Sequence, residues 1–190
     1  MHPHPHHNHQ AGCDLICLQE THKGWEKALN TSLIISTHFP HQYWDHSNVE
    51  QCKPSGAAVL ARSYLDIKVS VLESGVEGSV FPALHVLVKD RRNGHSFQVL
   101  SVHLRPPLGF DDNQRANIEL SALWTTSSIR LKEMQSYLEQ ALRLSSLPLL
   151  IVGDFNESFE SGSWLSPSYA DFLMEKKVCY LEFELSFSFE

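Results

Sequence analysis

One stretch, Leu149-Leu150-Ile151-Val152-Gly153-Asp154-Phe155-Asn156, limits the folds open to this chain more than any other. The apolar run after Pro148 is short and bounded, which suits a buried strand better than a helix. Gly153 permits a tight bend where that strand ends. Two polar side chains, Asp154 and Asn156, then follow at the lip of a sheet. A carboxylate there can hold a metal or a proton, and a carboxamide can orient a phosphate or a water. An ordinary strand followed by an Asp/Asn turn accounts for the same residues equally well. The stretch therefore needs companions before it points to chemistry.

Upstream segments supply them. Asp14 to Glu20 (DLICLQE) is apolar until Gln19-Glu20, so it reads as a strand that also ends in a carboxylate. Trp25 to Leu33 is expected to be helical, and His38 to Asp45 a loop leading into an aromatic strand. Gly56 to Arg62 (GAAVLAR) is a short buried strand, and Leu65 to Leu72 alternates as a half-buried one. Phe81 to Val88 is a further strand. Asn93-Gly94 marks a hairpin turn, and the return strand, Phe97 to Leu104, carries His103 near its end. Pro106 and Pro107 stop it. These middle strands predict an antiparallel meander. Leu108 to Asn113 reads as a polar loop. Ser127 to Leu144 places Ile129, Met134, Tyr137, Leu138, Ala141 and Leu142 on one helical face, with serines ahead as N-caps. Pro167-Ser168 can start a short helix over Tyr169 to Lys176. The end of the chain, VCYLEFELSFSFE, alternates like a strand, and would be an exposed-edge hazard if uncovered.

Composition bounds the function. The chain has 190 residues, 42% hydrophobic and 19% charged, with a formal net charge of −7. That size suits one domain with its own core. The negative balance argues against a protein that coats nucleic acid with a broad basic face. It leaves room for a small phosphate site, where a bound divalent cation supplies the positive charge. No apolar run is long enough to span a bilayer, and the first residues lack the apolar core of a secretory signal. Cys13, Cys17, Cys52 and Cys179 form no C-x-x-C pair, which argues against a zinc ribbon or thioredoxin-type site. Their usage is read as that of an intracellular protein, cytoplasmic or nuclear. Five of the twelve histidines fall in Met1 to Gln10, MHPHPHHNHQ. Interspersed prolines forbid a ladder or helix there, so a disordered leader is expected over residues 1–12, rather than a metal-storage segment.

Three predicted strand ends thus carry Glu20, His103, and Asp154 with Asn156. Carboxylates beside a carboxamide are hard oxygen ligands suited to Mg²⁺ or Mn²⁺. Such an ion polarises phosphoryl oxygens, and a histidine can hydrogen-bond or protonate a phosphate ester. In both order and spacing, DLICLQE (14–20), GAAVLAR (56–62), SVHLRP (101–106) and LLIVGDFNE (149–157) resemble the endonuclease/exonuclease/phosphatase superfamily. Deoxyribonuclease-I-like nucleases, AP endonucleases, inositol polyphosphate phosphatases and neutral sphingomyelinases belong to it.

The resemblance implies an α+β fold, two mainly antiparallel sheets packed face to face with helices outside (a four-layer α/β/β/α sandwich). It also implies metal-dependent hydrolysis of a phosphate ester. Glu20 then matches a metal-binding glutamate, and His103 a histidine at the scissile phosphate. Asp154 matches an aspartate that positions or deprotonates the attacking water and touches the metal. Asn156 matches an asparagine that orients water or phosphate. The substrate class is left open among nucleic acid, nucleotide, phosphoinositide and other small phosphoesters. Two family pieces are missing from the sequence: an opening strand with an asparagine, and a closing Ser-Asp-His segment, since no histidine follows His103 and no aspartate follows Asp171. The expectation is therefore an incomplete domain over residues 13–177 with a divergent tail over 178–190. The alternative to an active enzyme is a catalytically inactive fragment.

Overall fold

The computed structural model describes residues 12–46, 56–79, 81–105, 109–110, 116–117, 120–156 and 179–181. In chain order these form β1 (Leu15–Thr21), α1 (Lys23–Thr31), α2 (Leu33–His38), β2 (His41–Asp45), β3 (Gly56–Ala61), β4 (Leu65–Leu72), β5 (Ala83–Asp90), β6 (Ser96–His103), β7 (Gly109–Phe110), β8 (Ala116–Asn117), α3 (Leu120–Leu144), β9 (Leu149–Asp154) and β10 (Cys179–Leu181). The predicted leader and the helix over Tyr169 to Lys176 lie outside the described residues.

Two sheets result. One has the order β1-β3-β2, and the other β10-β9-β6-β5-β4. The first is antiparallel throughout. The second holds the predicted β4-β5-β6 meander, and β9 and β10 join it in parallel. A parallel neighbour needs a long crossover, and α3 supplies it between β6 and β9.

Side-chain alternation sorts these residues into layers. Ala57, Val59 and Ala61 of β3 meet Leu84, Val86, Val88 and Val99 of the second sheet, with Leu15, Cys17 and Tyr43 packed alongside. The opposite face of the second sheet (Leu100, Val102, Ile151) packs on Met134, Tyr137, Leu138 and Ala141 of α3. Across the molecule, Ala58 and Leu60 turn outward to Phe39, with Leu29 and Ile35 of the small helices. The four layers are helix, sheet, sheet and helix, as the resemblance implied. Leu100 and Ile151 are fully buried, so truncating either to alanine should cost about 2–5 kcal/mol of stability.

Element boundaries depart from the sequence reading for identifiable reasons. The helix expected over Trp25 to Leu33 divides at Ser32, whose N–H donates to Leu29 O and whose hydroxyl caps α2 by accepting from Ile35 N. Strand β5 starts at Ala83 because Pro82 has no N–H to give a ladder. At Asn93-Gly94 only the glycine has positive φ, 76°. The turn is not a two-residue one: Gly94 N donates to Asp90 O at 2.8 Å, enclosing Arg91 to Asn93, and Asp90 N donates to His95 O at 2.9 Å. Part of the stretch read as a polar loop pairs instead, β7 against β8. Helix α3 already runs at Leu120, so Ser127 and Ser128 sit inside it and do not cap it. Leu142, assigned to its apolar face, is exposed.

Candidate active site at the lip of the two sheets

Glu20 reaches the lip through an irregularity. Strand β1 pairs Leu18 with Ala58 and then Thr21 with Gly56. Gln19 and Glu20 therefore stand opposite Ala57 alone, which is a β-bulge. Leu15 and Cys17 face the second sheet, and Ile16 and Leu18 face the helices. Strict alternation would send Glu20 outward with Leu18. The bulge reverses it. Glu20 takes φ 54°, in the left-handed region that non-glycine residues seldom occupy. Just before it, Gln19 donates from Nε2 to Ser101 Oγ at 2.8 Å, bridging the sheets.

His103 ends β6 on the inner face, following Val99 and Ser101. Its side chain is only 5% exposed. Phe81 lies flat against it, ring centroids 3.9 Å apart at 7°. The carbonyl of Phe81 accepts from the Tyr137 hydroxyl, so α3 holds the aromatic wall in place. Burial holds the His103 pKa below its ordinary value, and the Asp154 and Glu20 carboxylates pull the other way.

Asp154 is the register partner of His103 across the parallel β6-β9 ladder. Gly153 makes that closeness possible. It has φ 132°, and a Cβ there would stand 1.9 Å from Val102 O. Past the strand end, Asn156 N donates to Asp154 Oδ1 at 2.8 Å, an Asx turn. Asn156 takes φ 51°. Its Nδ2 donates to Leu104 O at 2.7 Å, while Leu104 N donates to Asp154 O at 2.9 Å. Glu20 and Asn156 are the two non-glycine residues with positive φ among the described residues. Their chemistry alone singles both out in the sequence, and backbone strain of this kind collects at functional sites.

The three ionisable groups meet. His103 Nε2 lies 3.8 Å from Glu20 Oε1 and 3.9 Å from Asp154 Oδ2. These separations are too long for direct hydrogen bonds, so the three groups face one another without bonding directly. Glu20 and Asp154 are 68% and 52% exposed, and their only ion pairs among the described residues are these contacts with His103. No set of three or more His, Cys, Asp and Glu side chains gathers closely enough to enclose a metal among the described residues. The donor set is nonetheless of the right kind: two hard, solvent-facing carboxylates with no lysine or arginine paired to them among the described residues. Mg²⁺ is commonly held by one or two carboxylates, with water and phosphate oxygens completing its shell.

The sequence reading points to Glu20, His103, Asp154 and Asn156, which the fold brings to one lip, and misses what arranges them: the bulge, the Phe81 stack and the Gln19–Ser101 bridge. An aromatic next to a proline carries no signal that it will cover a histidine twenty-odd residues later. His85, also buried, is structural. Its Nε2 lies 2.7 Å from Gln98 Oε1, and Gln98 in turn donates to Ser145 O and Leu147 O.

A four-layer sandwich with acidic groups and a histidine at one lip defines a class of fold and site, and comparison with known proteins narrows it. The sequence profile described as "Endonuclease/Exonuclease/phosphatase family" matches residues 5–172. The chain belongs to that family. No curated protein sequence matches it. Among solved structures, ANGEL2, described as a 2′,3′-cyclic phosphatase, is similar at 18% identity and TM-score 0.57, covering 85% of this chain and 43% of that one. The human Nocturnin catalytic domain with bound sulfate is similar at 15% identity and TM-score 0.55, covering 82% and 57%. Truncated Caenorhabditis elegans TDP2 is similar at 13% identity and TM-score 0.52, covering 77% and 51%. At such identities the likeness is one of fold, and the chain spans about half the length of these structures. No helix among the described residues is long and apolar enough to cross a membrane.

Proposed function

We propose that this chain carries a divalent-metal-dependent phosphoester-hydrolysing site built from Glu20, His103, Asp154 and Asn156. The observation that supports it most is the approach of two exposed carboxylates from different sheets to one buried imidazole, at 3.8 and 3.9 Å. Glu20 and Asp154 would hold Mg²⁺ or Mn²⁺. A bound ion of this type supplies positive charge to a phosphoryl oxygen.

His103 is kept largely neutral by its burial against Phe81, so it can donate one hydrogen bond towards a phosphate without bringing a full charge. A neutral imidazole can equally take a proton from water. Asp154 is fixed at one oxygen by Asn156 N, which leaves Oδ2 to face the gap. Asn156 spends Nδ2 on Leu104 O, which orients its carboxamide and leaves Oδ1 for a water or substrate hydroxyl. Membership of the family, together with the fold shared with the cyclic phosphatase ANGEL2, supports a phosphoester as substrate, whether in nucleic acid, a nucleotide, a phosphoinositide or another small ester.

Hydrolysis of bis(p-nitrophenyl) phosphate tests this reading. The chain should show Mn²⁺- or Mg²⁺-stimulated turnover that Asp154→Ala abolishes. Equal rates in parent and variant would remove Asp154 from the site. The second reading, a catalytically inactive fragment, is favoured by the presence of His103 as the one imidazole among the described residues facing these carboxylates. It predicts weak Mn²⁺ binding with no turnover above the metal-only background.

A further inference from the structure

Resting on the reading of Glu20 as a cation ligand, we infer that Gly56 and Thr21 are positioning residues: their close backbone approach at the end of the first sheet locks the bulge that turns the Glu20 carboxylate into the site. Neither residue touches His103 or Asp154 in any described contact, so the role is exercised through Glu20.

Strands β1 and β2 both pair with β3, and both arrive at its first residues: Thr21 is opposite Gly56, and Asp45 is opposite Ala57. Gly56 is therefore wedged between two neighbours. A Cβ on it would stand 2.4 Å from Thr21 O, 2.7 Å from Thr21 Oγ1 and 2.8 Å from Asp45 O. Two of these three atoms are backbone carbonyl oxygens, which cannot swing aside as a side-chain tip can. Thr21, Asp45 and Gly56 are all buried, so the wedge has no slack towards solvent.

The register explains what the wedge accomplishes. Pairing resumes at Thr21–Gly56 after two β1 residues have been set against one of β3. The surplus residue has to be absorbed just before that pair, and Glu20 absorbs it by taking φ 54°. A side chain at position 56 would push Thr21 away, loosen the pair and let β1 slide back to regular alternation. Glu20 would then follow Leu18 towards the helices, leaving His103 and Asp154 without it. Thr21 contributes shape rather than bonding, since its hydroxyl is buried with no hydrogen-bond partner among the described residues. A buried hydroxyl of this kind has no value as a donor, but its Oγ1 stands in the space beside Gly56.

The test uses the intact chain and two readouts. In the metal-free protein, positive φ at Glu20 gives a strong intraresidue amide-to-Hα nuclear Overhauser effect. Cross-strand effects between Cys17 and Val59 report that β1 and β3 remain paired. Gly56→Ala should lose the Glu20 signature while keeping the Cys17–Val59 contacts. It should also weaken Mn²⁺ binding by roughly tenfold or more, the range seen when ligand-orienting groups are lost. Combining it with Glu20→Gln should add no further loss. Should Gly56→Ala fail to fold, Thr21→Ala makes the same test by removing the side-chain wall: Glu20 loosens, and Thr21→Val, which restores the shape without the hydroxyl, brings the signature back. A Glu20 signature and Mn²⁺ affinity unchanged in both Gly56→Ala and Thr21→Ala would overturn the inference. If the Glu20 signature responds as described but the parent binds no Mn²⁺, the positioning role stands and the metal site falls.

Discussion

At the end of the sandwich where β6 begins, charge is matched to charge. Arg92 pairs with Asp90 at 2.7 Å and approaches Asp14 at 4.0 Å, lies 3.6 Å over the Tyr64 ring, and Tyr64 donates to Asp14. Arg91 reaches Asp66 at 3.4 Å. At the other end, where β6 finishes, Glu20 and Asp154 face a histidine that burial keeps towards its neutral form. In the first arrangement each of the three carboxylates has a guanidinium partner among the described residues. The second leaves two carboxylates with no lysine or arginine paired to them among the described residues. Natural proteins tolerate such unbalanced charge chiefly where binding or catalysis needs it.

Removing charge should accordingly have opposite consequences at the two ends. The largest effect is expected at the lip: Glu20→Gln with Asp154→Asn should abolish Mn²⁺ binding by calorimetry. It should lower phosphodiester hydrolysis at least about 10²-fold, the lower end of what positioned acid–base and ligand groups contribute. The thermal midpoint of the metal-free variant should stay level or rise, because a repulsion is relieved. A lower midpoint would mean that the lip carboxylates are structural, as those at the far end are.

Phe81→Leu sharpens the same contrast, since it alters the histidine's surroundings and no charge. An aromatic stack is worth about 0.5–1.5 kcal/mol beyond its burial. A drop in kcat of roughly 2–10-fold with little change in KM is the expected result. Phe81→Tyr should restore most of it if its hydroxyl can reach solvent. Loss of the fold with Phe81→Leu would instead assign the ring to the core.

The pH dependence of stability follows from His103. Its folded pKa is depressed, mainly by burial, below an ordinary value of about 6.5. The neutral ring therefore favours the folded state, and this contribution is present above about pH 6.5. It is lost as pH falls through the ordinary value towards the folded one. Urea midpoints of the metal-free chain should decline over that slightly acidic window, and His103→Gln should decline less. Neutralising Glu20 and Asp154 removes the two attractive charges, so it should lower the His103 pKa further, readable by proton NMR titration. The smallest effect belongs to Arg92→Ala at the far end. Its pairs are solvent-exposed on the arginine side, so a slight fall in thermal midpoint is expected, shrinking with added salt.

Much of this was legible in the residues. A bounded apolar run announced β9, alternation announced β4, and Asn93-Gly94 announced the β5–β6 reversal even though the turn closes over a longer loop. The chemistry at the strand ends selected Glu20, His103, Asp154 and Asn156 without knowledge of their separation. Less legible were the features that depend on a neighbouring strand. The division at Ser32, by contrast, came from local hydrogen bonding that composition does not rank. The pairing of β10 beside β9 joins segments separated by 24 residues from Asp154 to Cys179, and nothing in either one specifies parallel addition.

Periodicity and residue chemistry are properties of the chain taken locally, so the amino-acid order alone determined which segments are strands and which of their ends bear acids or a histidine. Whether those ends meet depends on register, and register is a relation between strands. Only the folded molecule decided that Thr21 sits against Gly56 rather than one residue away, and a slip of one residue reverses the face of every side chain that follows. Glu20 owes its inward direction to that single step.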